Sequence, residues 1–245
     1  MESTIIFSVG ARKKELRRII PVFLPFLGCP CKCVYCVQDK QTGKIDHPCL
    51  GSMLQEAAAM IERQDKPCEL AFYGGTFTAI PEKNRMECLD FLQSMRKSGK
   101  VVSARCSTRP DALGKAILLA LKNAGIHLVE LGVQSFSDHA LAASQRGYNG
   151  KQALDGCQAV LKSGLRLGIQ LLPGMPGVTP KIFIDDVQKA IALHPACLRF
   201  YPCLVPEGTI LADWFASGKY KPWSMEETIT TLAKALTLAW NADIP

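Results

Sequence analysis

The sequence predicts an α/β fold, a partial (β/α)6 TIM-like barrel, and three observations predict it. Six short apolar segments alternate strictly with amphipathic segments of helix length, the pattern of a parallel sheet with right-handed crossovers. At 245 residues the chain has the size of one α/β-barrel domain. The unusual residues fall directly after the apolar segments, where the C-terminal strand ends of such barrels carry their functional groups. Six units favour a curved three-quarter barrel over a closed eightfold one.

The first strand lies in the apolar run 19–27, which exits into a loop at Gly28 and Pro30. Residues 38–48 are polar and irregular. Ser52 and Gln55 form a capping-box pattern that opens a helix with Leu54, Ala57, Ala58 and Ile61 on one face. Residues 69–73 make the second strand, ending at Gly74-Gly75. Pro81 suits the first turn of the next helix, where Met86, Leu89, Leu92 and Met95 repeat on one side until Gly99. The third unit is a strand at 101–106 and a helix marked by Leu113, Ile117, Ala120 and Leu121, closed by Gly125. Residues 128–133 form the fourth strand, followed by helical pieces near 139–144 and 152–162, with Gly164 as the stop. The fifth strand spans 165–172 and ends in Pro173-Gly174-Met175-Pro176-Gly177; Thr179-Pro180 caps the helix after it. Residues 197–202 form the sixth strand. A loop with Pro206, Gly208, Gly218 and Pro222 leads to a last helix, capped by Ser224 and Glu227, with Ile229, Leu232, Leu236, Ala239 and Trp240 as its buried stripe.

Eleven cysteines are an odd count scattered through apolar segments, which points to a reducing, cytoplasmic compartment rather than to disulfides. No stretch approaches the apolar length of a membrane span, and no membrane partner is expected. The formal charge is +7, and a net four of those charges lie in one stretch formed by Arg12, Lys13, Lys14, Arg17 and Arg18 against Glu15. Residues 1–18 therefore read as a basic arm and 19–245 as the core domain. Such an arm suits phosphate contact, as in RNA, or is simply a solvated edge. The chain stops at Ile244-Pro245 straight after the last helix, so a further strand or domain is expected beyond it.

Four cysteines fall within eight residues after the first strand, and Cys29, Cys33 and Cys36 have the spacing C-x3-C-x2-C. Thiolates are soft ligands, suited to iron–sulfur clusters or to zinc. Three ligands leave one iron of a cubane cluster open. A zinc knot built on Cys31 and its neighbours is the alternative, although zinc knots usually draw on two separated pairs.

The spacing, with Tyr35 just before the last cysteine, resembles the signature of radical S-adenosylmethionine (SAM) enzymes. The resemblance implies Cys29, Cys33 and Cys36 as ligands of a [4Fe-4S] cluster, Tyr35 near the adenine, and Cys31 outside the ligand set. Gly74-Gly75-Thr76 is similar to the Gly-Gly-Thr of oxygen-independent coproporphyrinogen oxidases and of the Elongator catalytic subunit. Without that likeness it is a tight turn with bare backbone. Thr108-Arg109-Pro110-Asp111, the run from Glu130 to Ser135, Arg146-Gly147 and the run from Gln170 to Gly177 resemble the Elongator group, so the likeness covers nearly the whole chain. It implies Gln134 at the ribose or methionine part of SAM, Arg146 paired with its carboxylate, Gln170 near the ribose hydroxyls and Phe23 on the cluster side of the methionine. Ser107 departs from the pattern, because the relatives carry Glu there. Taken alone, Arg109 reads as a salt bridge to Asp111 and Arg146 as a solvated helix end.

The implied activity is reductive cleavage of SAM to a 5′-deoxyadenosyl radical that abstracts hydrogen from substrate. An electron donor such as flavodoxin or ferredoxin and a tRNA are the implied partners. A small molecule such as a porphyrinogen is the alternative substrate, and a zinc-stabilised binding module the alternative without catalysis. No acetyltransferase segment is visible, so the chain reads as a stand-alone relative or a fragment of an Elongator-like protein.

Overall fold

The computed structural model describes residues 17–25, 27–30, 33–37 and 49–245. Cys31, Arg12, Lys13 and Lys14 lie outside them. Six strands form one parallel sheet in sequential order: β1 (Ile19–Phe23), β2 (Cys68–Tyr73), β3 (Val101–Thr108), β4 (Ile126–Gln134), β5 (Arg166–Leu171) and β6 (Cys197–Phe200). The helices between and after them are α1 (Leu50–Glu62), α2 (Glu82–Lys97), α3 (Lys115–Ala124), α4 (Asp138–Ala143), α5 (Gly150–Lys162), α6 (Pro180–Ile191), α7 (Ile210–Ala216) and α8 (Met225–Asn241). Residues at the ends of β1 and β6 line the same cavity, so the sheet curves until its two edges face one space. The predicted partial barrel is the observed architecture.

Strand periodicity sorts the residues. On β2, Leu70 and Phe72 are fully buried on the helix side, while Glu69 and Tyr73 lie on the other, inner face. Register carries that inner face across the sheet: Ser107 opposes Glu130, Glu130 opposes Gly168, and Gln170 opposes Arg199. The outer face is the apolar core, with Ile20, Val22, Leu70, Phe72, Val129, Leu131 and Ile169 packed under α1 to α6. The inner face is polar and charged.

Some elements depart from the sequence reading. Helix α1 begins at Leu50, with Cys49 as its cap; the Ser52 hydroxyl lies inside the first turn and donates back to the Cys49 carbonyl at 2.8 Å. Its buried face is Met53, Leu54, Ala57 and Ile61. Pro81 caps α2 rather than sitting within it, and Met86 is exposed while Cys88, Leu89 and Leu92 are buried. The β6 loop contains a helix, α7, which starts where the Thr209 side chain accepts from the Ala212 amide. Helix α8 has the expected Ser224–Glu227 capping box, but it buries Thr231, Ala235 and Ala239 and exposes Ile229 and Trp240. It packs mainly on α6, and small residues at i, i+4 and i+8 form its buried stripe.

Arg17 and Arg18, the described part of the basic arm, are exposed. They border a groove with Gln64, Lys66 and Val102 at the N-terminal end of the sheet, opposite to the strand ends that carry the unusual residues. Among the described residues no helix is long and apolar enough to cross a membrane.

Candidate functional site

The strand ends converge on a cavity of about 510 Å³. Eleven of the twelve residues singled out by sequence line it: Phe23, Cys29, Cys33, Tyr35, Cys36, Gly74, Gly75, Ser107, Gln134, Arg146 and Gln170. Thr76, the twelfth, is fully buried behind the wall, with its Oγ1 3.4 Å from Cys29 Sγ.

The cysteine segment is pinned from three sides. The Thr76 amide donates to the Leu27 carbonyl at 2.7 Å, the Val34 amide to Ser144 at 3.3 Å, and the Leu211 amide, at the start of α7, to Val34 at 2.9 Å. Gly75 is obligatory here. Its φ is +45°, and a Cβ would stand 2.1 Å from the Leu27 carbonyl oxygen. The Gly-Gly-Thr turn thus serves to let the loop before Cys29 approach closely, beside any ligand contact of its bare backbone. Among the described residues no three Cys, His, Asp or Glu side chains are gathered closely enough to hold a single metal ion. Cys31, on which the zinc alternative rests, lies outside the described residues.

Arg146 is buried, not a solvated helix end. Its Nη2 donates to the Gly132 carbonyl at 2.6 Å and to Tyr148 Oη at 2.7 Å, and its Nη1 lies 3.1 Å from Cys33 Sγ. Arg109 makes the expected fork with Asp111, at 2.9 and 2.8 Å, and also donates to the Arg146 carbonyl. Both guanidinium carbons lie 5.0 Å from the centroid of the Tyr148 ring, a cation–π pair of contacts. Burial pushes the Tyr148 and Tyr35 hydroxyls above their ordinary range, so both stay protonated at neutral pH.

Gln134 ends β4 with φ +66°, at a break in register between Gly132 and the next pair. A left-handed non-glycine residue costs energy and marks functional sites. Its Oε1 is buried without a hydrogen-bond partner, an acceptor held ready for a donor that the chain does not supply. The following turn is fixed by Asp186, which accepts from the Ser135 hydroxyl and, at 3.0 Å, from the Phe136 amide.

Sequence reasoning missed the floor of the cavity. Glu130, fully buried, accepts from Arg105 at 3.1 Å, from Arg199 at 2.9 and 3.2 Å, from Gln170 at 3.1 Å and from Tyr73 at 3.3 Å. Arg105 also grips Glu69 bidentately, at 2.6 and 2.8 Å. Gly168 makes room, since a Cβ there would stand 2.9 Å from Glu130 Cγ. Burial and the Glu130 carboxylate raise the Tyr73 hydroxyl well above its ordinary value. A signal was available: Glu130 is a charged residue inside an apolar strand, flanked by Val129 and Leu131.

The sequence description "Radical SAM superfamily" matches residues 23–190, and the description "Radical_SAM C-terminal domain" matches 195–245. The chain belongs to the radical SAM superfamily. It is an enzyme of that superfamily, and two kinds of relative stand out. A tRNA uridine(34) acetyltransferase of Methanocaldococcus jannaschii is 29% identical over 94% of this chain and 51% of its own length. Elongator complex protein 3 of Mus musculus is 28% identical over 69% of this chain and 35% of its own. The chain therefore spans about half the length, or less, of these curated relatives. Among solved structures, archaeal Elp3 of Methanocaldococcus infernus superposes with a TM-score of 0.70 at 24% identity, covering 89% of this chain and 53% of that one. Coproporphyrinogen III oxidase of Escherichia coli superposes with a TM-score of 0.67 at 19% identity, over 92% and 53%. Both share the fold.

Proposed function

We propose that this chain binds a [4Fe-4S] cluster through Cys29, Cys33 and Cys36, binds SAM beside it, and acts on tRNA. The observation that carries the reading is the single cavity that gathers the three thiols with Gln134, Arg146 and Gln170. The donor set suits the group. Three soft thiols face the cavity beside the unpartnered Gln134 oxygen, which awaits a donor such as an amino or ribose hydroxyl group. When bound, the cluster and SAM together supply one electron and a hydrogen-abstracting 5′-deoxyadenosyl radical. The chain's own residues do the rest. Arg146 places a fixed positive charge beside Cys33, suited to a carboxylate. Tyr35 and Phe23, the end of β1, line the same cavity. Ser107 supplies a hydroxyl where the resemblance to the Elongator group implies a carboxylate, and Gln170 donates to it at 3.3 Å.

The alignment with tRNA-modifying relatives over 94% of the chain favours tRNA over a tetrapyrrole as substrate. A flavodoxin or ferredoxin is the fitting class of electron donor. Anaerobic purification should give a brown protein with iron and sulfide. Incubation with SAM and a reductant should release 5′-deoxyadenosine, and tRNA should change that rate. A colourless protein with full occupancy by zinc would refute the cluster, and a rate indifferent to tRNA would refute the substrate.

A further inference from the structure

We propose that Tyr201 is a substrate-contact residue at the mouth of this cavity, stacking on an unpaired base of RNA. The inference rests on the tRNA reading above and adds a site to it. Among the described residues the sheet is open, so β1 and β6 are both edge strands, and each leads into an aromatic residue on the same cavity. Phe23 ends β1 and is 40% exposed; Tyr201 follows β6 and is 45% exposed. One exposed aromatic ring is ordinary on a protein surface. Two rings from opposite edges of an open sheet, on one cavity, make a mouth with apolar faces on both sides. Tyr73 extends the β1 side, with its ring centroid 6.2 Å from that of Phe23.

Tyr201 is held for the task. Its amide donates to the Leu171 carbonyl at 3.1 Å, continuing the β5–β6 ladder, so its backbone is as fixed as a strand. Arg199 reaches its hydroxyl at 3.5 Å and is itself tied to Glu130. A ring tethered through its hydroxyl edge keeps its π face for a ligand. Charge enters through guanidinium groups: among the described residues that line the cavity, Arg109 is paired with Asp111 and Arg199 with Glu130, while Arg146 is buried beside Cys33. Aromatic residues beside guanidinium groups are how single-stranded nucleic acid is held, and Arg199 lies beside Tyr201. A base taken out of its stack is read in the same way.

Stacking on an aromatic side chain contributes about 1–3 kcal/mol per base, so its loss should weaken binding about five- to 150-fold. The test uses a short single-stranded RNA carrying 4-thiouridine, with the intact chain, Tyr201→Phe and Tyr201→Leu. Affinity is read by fluorescence anisotropy, cross-link sites by mass spectrometry, and SAM affinity in parallel. The expected result is a cross-link at Tyr201 in the intact chain, weaker RNA binding by Tyr201→Leu within that range, near-normal binding by Tyr201→Phe, and equal SAM affinity in all three. RNA binding that Tyr201→Leu retains in full, or SAM affinity that falls with it, overturns the stacking role and leaves the tRNA reading standing. No RNA binding by the intact chain overturns the tRNA reading, and this proposal with it. Should Tyr201→Leu fail to fold, the cross-link map of the intact chain decides.

Discussion

Replacing Glu130 by Gln tests whether the charged floor holds the barrel together. The carboxylate is fully buried and faces two guanidinium groups, a glutamine amide and a tyrosine hydroxyl. Gln keeps the volume but offers one acceptor oxygen, and its amide hydrogens must face donors. Removing one partner of a buried ion pair costs about 3–5 kcal/mol, because the other charge is left uncompensated. Arg105 keeps Glu69, so the lower end, about 3 kcal/mol, is the expectation here. For a chain of this size that lowers Tm by about 6–12 °C. Arg199→Met removes the more solvent-exposed partner, whose side chain is 33% exposed. Screening reduces its share to about 1–2 kcal/mol. The double variant should lose less than the sum, with a coupling of about 1–2 kcal/mol. Urea denaturation of the four proteins measures all of it. A loss below 1 kcal/mol for Glu130→Gln, or strict additivity, would refute the claim that this carboxylate organises the floor.

Four further outcomes follow. Cys29→Ala, Cys33→Ala and Cys36→Ala should each lose the cluster while Cys31→Ala keeps it, as iron and sulfide analysis will show; equal loss with Cys31→Ala overturns the ligand set. Gly75→Ala, with its Cβ forced to within 2.1 Å of Leu27 O, should displace the cysteine loop and lower both Tm and iron loading. Arg146→Lys keeps the charge but not the fork on Gly132 and Tyr148. It should weaken SAM binding about ten- to a hundredfold by calorimetry with iron retained; unchanged affinity leaves Arg146 an architectural role only. Burial holds His127 below its ordinary pKa of 6.5, against the pull of Glu69. A depressed folded-state pKa gives stability that is present above pH 6.5 and lost as pH falls toward the lower value. Melting curves of His127→Asn should lack that acid-side loss, and identical pH profiles would show that His127 does not contribute it.

The sequence carried the barrel because each unit bears its own punctuation. Gly125 ends α3 in the left-handed conformation, Thr179 caps α6 before Pro180, and Ser224 with Glu227 boxes α8. It carried the cavity because strand ends are where parallel barrels put their chemistry, and eleven chosen residues meet there. Beyond the shifted helix starts and the unforeseen α7, two things were not fully legible. The α8 stripe was only partly legible: Ala239 is buried and Leu232 packs against the core as expected, but periodicity marks large apolar residues, so exposed Ile229 and Trp240 were included and buried Thr231 and Ala235 were passed over. The floor was missed because a motif quotes residues along one strand. The partners of Glu130 come from four different strands: Tyr73 on β2, Arg105 on β3, Gln170 on β5 and Arg199 on β6.

That floor bears on the departure at Ser107. Glu130 lies directly beside Ser107 in register on the neighbouring strand, and Gln170 donates to both. A carboxylate is therefore present at this level of the barrel, but it is committed to Arg105 and Arg199 beneath the cavity. Because a carboxylate only accepts, it fixes the orientation of Gln170: the amide nitrogen faces Glu130 and Ser107. The Gln170 oxygen is then the amide's acceptor left for the cavity. The unpartnered oxygen of Gln134 is a further neutral acceptor on the same cavity. In the proposed site these amide oxygens are the acceptors that would meet an ammonium group, where the resemblance to the Elongator group implies a carboxylate at position 107. Such a site holds its ligand less by charge and more by direction.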